Sequence, residues 1–146
     1  MDPPARVLIV EARFYEDIAE ELARGAVAVF NDNNVGFERL PVPGGFEIPA
    51  AVSMAIASNA LFDGYLALGC VIRGETSHYE HICHEVARGL NQLAIVHRAA
   101  IGFGVLTCEN REQAWARAAV DGGNKGADAA RACLTMIALR RRWAMR

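Results

Sequence analysis

Residues 65–80 read YLALGCVIRGETSHYE, an apolar run that stops in a Gly-bearing polar turn and delivers a histidine into the start of a helical pattern. A continuous apolar run is what a strand buried on both faces requires, and such strands belong to parallel sheets covered by helices. Open parallel sheets bind their ligands beyond the carboxyl ends of the strands. The spacing therefore predicts a strand over residues 65–72 and a site in the turn that follows it. Thr76 or Ser77 is placed to cap the next helix, whose unpaired N–H groups make an anion site, and His78 sits in its first turn. The pattern points to a phosphorylated substrate beside an acid/base.

Outward from this stretch the chain alternates regularly. Residues 7–10 read as a short buried strand, and residues 15–30 as a helix with Ile18, Leu22, Ala26 and Val29 on one face. A second strand spans residues 37–42 and ends at Pro43, Gly44 and Gly45; a helix follows over 48–59 with Pro49 tolerated in its first turn. A third helix over 77–96 places Ile82, Val86, Leu90 and Leu93 on one stripe, and residues 101–106 make the last strand. A helix over 113–120 breaks at Asp121, Gly122, Gly123 and Asn124, and another runs over 127–143. This βαβαβαβα order, closed by right-handed crossovers, predicts a three-layer α/β/α sandwich around a four-stranded parallel sheet. No repeat, linker or low-complexity segment divides it, so residues 1–146 are expected to form one domain.

Bulk properties exclude several classes. With 146 residues, 53% of them hydrophobic, the chain is long enough to bury a core and too apolar for disorder. A net charge of −2 leaves no electrostatic footprint for nucleic acid. The run Arg140, Arg141, Arg142 instead solvates the end of the last helix and complements its dipole. No apolar stretch reaches the roughly 20 residues of a membrane span, and the first residues carry no signal-peptide core. A cytoplasmic location is expected. Cys70, Cys83, Cys108 and Cys133 show no C-x-x-C spacing and fall inside apolar segments, which reads as reduced structural thiols.

Five motifs carry the reading further: ARFYED after the first strand, PGGFEIP after the second, GCVIRGETSHYE at the third, GFGVLTCEN at the fourth, and AWARAAVDGGNKGADAA near the end. In this order and spacing, over about residues 7–143, they resemble the lumazine synthase family. The resemblance implies a flavodoxin-like lumazine synthase fold and a transferase of the penultimate step of riboflavin biosynthesis. The implied reaction condenses 5-amino-6-(D-ribitylamino)uracil with 3,4-dihydroxy-2-butanone 4-phosphate, giving 6,7-dimethyl-8-ribityllumazine and phosphate, without a cofactor.

The resemblance also implies roles for individual residues. Phe14 matches the position that stacks on the pyrimidine; by loop position alone it reads as a core staple to the first helix. Gly45, Phe46 and Glu47 match the ribityl-binding segment, where small residues permit close backbone approach and a carboxylate accepts from hydroxyls. Glu47 also suits a helix N-terminus. Cys70, Val71 and Ile72 match backbone contacts to the uracil edge, and Phe103 belongs to the same uracil set. Glu75, Thr76 and Arg117 match the butanone phosphate site, with Glu75 contributing main chain and its side chain pointing outward. Lys125 either adds positive potential or is merely solvated in its Gly-rich turn. His78 matches the proton-transfer residue, a task suited to imidazole near neutral pH. His78, His81 and His84 recur every three residues, but that spacing drifts by about a sixth of a turn per step and completes no recognised ligand set, so no metal is expected.

Partners implied by the family are copies of the chain: pentamers, in some members closing into icosahedral shells, with association with riboflavin synthase allowed. The site is expected to be shared, with Phe14, Phe46, Glu47 and His78 from one subunit and Phe103, Arg117 and Lys125 from its neighbour. Two departures stand out. Tyr15 follows Phe14 where small or polar residues are common, and the arm before Val7 has only six residues, two of them proline. Two other readings stay open: a flavin- or lumazine-binding module without turnover, and a primarily structural shell protein.

Overall fold

The computed structural model describes residues 2–74 and 77–145. Its elements follow in chain order: β1 (Arg6–Ala12), α1 (Glu16–Asp32), β2 (Gly36–Val42), α2 (Ile48–Ala57), β3 (Gly64–Ile72), α3 (His78–His97), β4 (Ile101–Cys108), α4 (Arg111–Ala118) and α5 (Lys125–Arg142). The strands form one parallel sheet in the order β2-β1-β3-β4. The expected alternation is borne out, with β1 and β4 each extending two residues further toward their carboxyl ends than the apolar pattern suggested.

Period-two alternation along the central strands sends side chains into two cores. Val7 and Ile9 of β1 join Leu66 and Leu68 of β3 against Ile18, Leu22 and Phe30 of α1 and Cys133 and Ile137 of α5. On the other face Leu8 and Val10 join Ala67 against Ile48 and Val52 of α2 and Val86 and Leu90 of α3. Helices thus cover both faces, which is why β3 reads as apolar without interruption. The expected stripe on α3 is present, with Ile82 and Leu93 partly buried at its margins.

Close approach explains two glycines. A Cβ on Gly126 would lie 2.0 Å from the Leu22 carbonyl oxygen, and one on Gly25 would lie 2.2 Å from Asn124 Oδ1. Any larger residue would push α1 and α5 apart. Asn124, left-handed at φ 49°, turns the chain into α5, a conformation that asparagine tolerates better than most residues.

Two local expectations need correcting. Ser77 occupies the N-cap of α3, but its side chain makes no capping hydrogen bond; Thr76 and Glu75 lie outside the described residues. The helix expected over 113–120 begins at Arg111, because Asn110 Oδ1 accepts from the Gln113 N–H at 2.8 Å while Gln113 Oε1 accepts from the Glu109 N–H at 2.9 Å. This reciprocal cap, in an N-x-x-Q pattern, is a start signal that the hydrophobic spacing alone misses.

Candidate active site at the carboxyl ends of the strands

Each strand delivers its part of the site where it ends. Past β1, the Arg13 N–H donates to the Val42 carbonyl at 3.0 Å, so pairing with β2 continues until Phe14 leaves the sheet. Phe14 is 73% exposed, and its ring meets Tyr15 edge-on at 4.9 Å. The core-staple reading is therefore overturned: Phe14 stands over the sheet end, and Tyr15 packs against the core.

Past β2, Gly44 is extended and Gly45–Glu47 forms a single 3-10 turn. A Cβ on Gly45 would sit 3.5 Å from Val71, 3.6 Å from Val86 and 3.7 Å from Ile82. The turn is thus seated between the end of β3 and the early turns of α3, leaving Phe46 59% exposed. Neither Gly44 nor Gly45 adopts a positive φ, so nothing in their own backbone demands glycine. Glu47 is half-buried at the N-cap of α2 and makes no side-chain capping bond; its place at the helix start suits a negative charge.

At the end of β3, Cys70 is buried and Val71 and Ile72 are half-buried. Burial, with Cys108 alongside, pushes the Cys70 thiol up to about 12, away from the thiolate form that reactive cysteines require. The Arg73 N–H donates to the Cys108 carbonyl at 2.9 Å. Its side chain donates to Glu109 at 2.8 Å, pairs with Glu80 and lies over the Tyr79 ring with 4.3 Å to the centroid. One arginine thereby ties the ends of β3 and β4 to the first turn of α3, where His78 is exposed. Sequence reading missed this role, since Glu109 is 36 residues away in the chain.

Arg117 of α4 is also exposed, with Nη1 3.4 Å from Cys108 Sγ and 3.2 Å from Gln113 Oε1. Phe103 and Lys125 lie elsewhere. Phe103 pairs in register with Ala67, whereas Cys108, at the strand end, pairs with Ile72. Five residues of strand place Phe103 about 17 Å short of that end. Phe103 is 47% exposed on edge strand β4 and lines, with Lys125 and Asp128, a cavity of about 230 Å3. Lys125 Nζ pairs with Asp128 at 3.5 Å. One chain therefore gathers Phe14, Gly45, Phe46, Glu47, Cys70, Val71, Ile72 and His78 at the sheet end, and does not bring Phe103 or Lys125 to them.

A buried ionic group went unread in the sequence. Glu11, the next-to-last residue of β1, is 2% exposed and is held by Arg13 and by the Arg39 fork of β2. The hydrogen bonds to Glu11 and Glu20 raise the Arg39 pKa well beyond its ordinary value. Among the described residues no group of three His, Cys, Asp or Glu side chains is placed to hold a metal ion, and no helix is long and apolar enough to cross a membrane. The described cysteines are all free.

Comparison with known proteins agrees with this architecture. The family model for 6,7-dimethyl-8-ribityllumazine synthase matches residues 4–141. The 6,7-dimethyl-8-ribityllumazine synthase of Bartonella tribocorum is 51% identical over 137 residues, covering 94% of this chain and 91% of the relative. The 6,7-dimethyl-8-ribityllumazine synthase 1 of Rhizobium meliloti is 48% identical over 143 residues, covering 95% and 94%. A third relative, from Xanthobacter autotrophicus, is 49% identical over 143 residues. With a parallel α/β sandwich matched along nearly its whole length, the chain belongs to the 6,7-dimethyl-8-ribityllumazine synthase family.

Proposed function

We propose that this chain condenses 5-amino-6-(D-ribitylamino)uracil with 3,4-dihydroxy-2-butanone 4-phosphate to 6,7-dimethyl-8-ribityllumazine and phosphate, as a transferase of riboflavin biosynthesis. The observation that carries the reading is that two exposed phenylalanines, Phe14 and Phe46, and His78 all follow the carboxyl ends of neighbouring parallel strands. Exposed aromatic faces suit a flat heteroaromatic, and imidazole suits repeated proton transfer near neutral pH.

In this reading the pyrimidine stacks on Phe14, with Phe46 and Glu47 toward the ribityl chain and the backbone of Cys70, Val71 and Ile72 along the uracil edge. Phosphate is held by Thr76, the Glu75 main chain and the Arg117 fork. An amine of the pyrimidine attacks the ketone, and the carbinolamine loses water to form an imine. Elimination of phosphate leaves an enol, which tautomerises to a ketone, and attack of the second amine on that new carbonyl closes the ring with loss of another water. His78 moves the protons. Every step is an addition, elimination, tautomerisation or dehydration, so no external oxidant or reductant enters and no cofactor is needed.

The reading includes assembly. Phe103 lies about 17 Å short of the strand end, beyond the reach of its own chain's site, and it flanks the edge strand together with Lys125. A neighbouring copy in a ring is the source of Phe103 and Lys125 for each site, with the pentamer as the expected ring; the family resemblance assigns Arg117 to the same neighbour, although it stands beside Cys108 at the end of its own β4. The segment from Arg117 to Lys125 permits closure into a shell without requiring it. The test is turnover: the assembled protein, given both substrates, produces lumazine absorbance and equimolar phosphate. A folded assembly that binds lumazine and yields neither product is a binding module instead, a reading that the family assignment does not favour.

A further inference from the structure

The charges around Glu11 have no part in the reaction as described, yet they hold Arg13, the residue immediately before Phe14. Glu11 Oε1 accepts from Arg13 Nη1 at 2.8 Å and from Arg39 Nη2 at 2.9 Å, and its Oε2 accepts from Arg39 Nε at 2.6 Å. Arg39 Nη2 also donates to Glu20 Oε2 of α1 at 3.0 Å, and Arg13 Nη2 reaches Glu20 Oε1 at 3.5 Å. Two carboxylates and two guanidinium groups thus close a ring that joins β1, β2 and α1.

Stability alone does not ask for this ring. Val7 and Ile9 precede Glu11 on the same face of β1, packed into an apolar core, and an apolar residue in the buried carboxylate's place is commonly as stable or more so. A paired and forked carboxylate gives direction instead: the bidentate Arg39 contact fixes one orientation of Glu11. Glu11 in turn fixes Arg13, the residue immediately before Phe14. Arg13 is anchored a third time through its N–H on the Val42 carbonyl. On the other side of Phe14, Tyr15 is the N-cap residue of α1 and lies beneath the Arg111 guanidinium, 5.8 Å from the ring centre, while Arg111 pairs with Asp17. The exposed ring thus projects from a short loop gripped on both sides.

We propose that Glu11 and Arg39 are positioning residues for the pyrimidine site: they act through Arg13 to hold Phe14 at the stacking angle, and touch no substrate. This inference rests on the reading of Phe14 as the pyrimidine-stacking residue. It predicts coupling between the ionic ring and one substrate only.

The test compares four assembled proteins: wild type, Phe14→Ala, the double variant Glu11→Leu with Arg39→Met, and all three changes together. Removing both ionic partners leaves no unpaired buried charge, and Arg13 keeps Glu20. The double variant should raise the pyrimidine KM by about three- to thirtyfold, within the range of coupling between contacting residues, with the butanone phosphate KM unchanged at saturating pyrimidine. In the Phe14→Ala background the same double change should add less than about twofold. An unchanged pyrimidine KM, an equal rise in both KM values, or an undiminished effect without Phe14 overturns the inference. If Phe14→Ala itself leaves the pyrimidine KM unaltered, the stacking reading fails and this inference fails with it. Should the double variant not assemble, Glu20→Gln on the exposed rim of the ring gives the second arm. It should produce a smaller rise in the pyrimidine KM alone, and no change there overturns the inference.

Discussion

The two edges of the sheet treat their aromatic residues in opposite ways. On the β1–β2 side, Phe14 follows Arg13, which is tied into an ionic ring with Glu11, Arg39 and Glu20, all of the same chain. On the β4 side, Phe103 projects from an edge strand beside a cavity that its own chain does not fill. Both outer strands, β2 and β4, are unpaired on one side; the difference is that the loop carrying Phe14 is held by its own chain, whereas the ring of Phe103 is left half-exposed on the strand itself. An edge strand with an exposed aromatic is a liability for an isolated protein. Under the proposed function, the contrast means that one half of the site is built by folding and the other half awaits a copy of the chain.

The experiment most able to break this comparison mixes two crippled proteins. His78→Ala and Arg117→Ala chains, each slow as pure assemblies when butanone phosphate is held near the wild-type KM, should regain activity when unfolded together and co-assembled. In a ring with head-to-tail contacts, random mixing leaves roughly a quarter of the sites with both halves intact. Recovery toward that fraction of wild-type turnover is expected. No recovery after co-assembly has been verified would place both residues in one chain's site and erase the distinction between the edges.

Next in size is the loss of proton transfer. His78→Ala should slow turnover by about 10² to 10⁴ while pyrimidine binding stays near wild type, because positioning of two substrates supplies acceleration that does not depend on imidazole. Pre-steady-state binding of the pyrimidine distinguishes the cases: its disappearance in an intact assembly would make His78 a binding residue.

A smaller effect separates the two edges by substrate. Arg117→Ala should raise the butanone phosphate KM roughly ten- to a hundredfold, as loss of a charge-assisted contact costs about 1.5 to 3 kcal/mol. Lysine should restore little of it, lacking the planar fork. Phe14→Ala should instead raise the pyrimidine KM. Equal effects of Arg117→Ala on both substrates would mean a general disturbance of the interface rather than a phosphate ligand.

How far these edges could be read from sequence follows from the range of the interactions. The apolar run through Leu66 and Leu68, the turn at Gly44 and Gly45 and the break before Lys125 are local signals, and they located the elements to within a few residues. Strand order is not local: nothing in the chain says that β1 lies between β2 and β3. Glu11 at the end of VLIVEA looks like a strand terminus, and its partner Arg39 lies 28 residues on. Their meeting depends on a register that sets Ile9 opposite Arg39, which periodicity cannot supply. Phe14 failed as a core staple because Tyr15, its neighbour, takes the packing role. Phe103 entered the uracil set through family resemblance, and only the strand register shows how far it stands from the sheet end.

The smallest expected effect probes the ionic edge by acid. Partial burial of Glu20 opposes its ionisation, but the hydrogen bonds and charges of Arg39 and Arg13 outweigh that and hold its pKa below the ordinary 4.5. A carboxylate whose folded pKa is depressed adds stability that is present above its unfolded value and is lost as pH falls through the folded one. Glu20 is about half exposed, at 54% of its side chain, so solvent screening limits the contribution to about 0.2–1 kcal/mol. The stability difference between wild type and Glu20→Gln, taken from denaturant midpoints, should therefore be constant from neutral pH down to about 5 and shrink below 4.5. High salt should shrink it at every pH. A difference that persisted unchanged to pH 3 would mean that the Glu20 carboxylate does not contribute as a charge, and would leave the β1–β2 edge held by Glu11 with its two arginines alone.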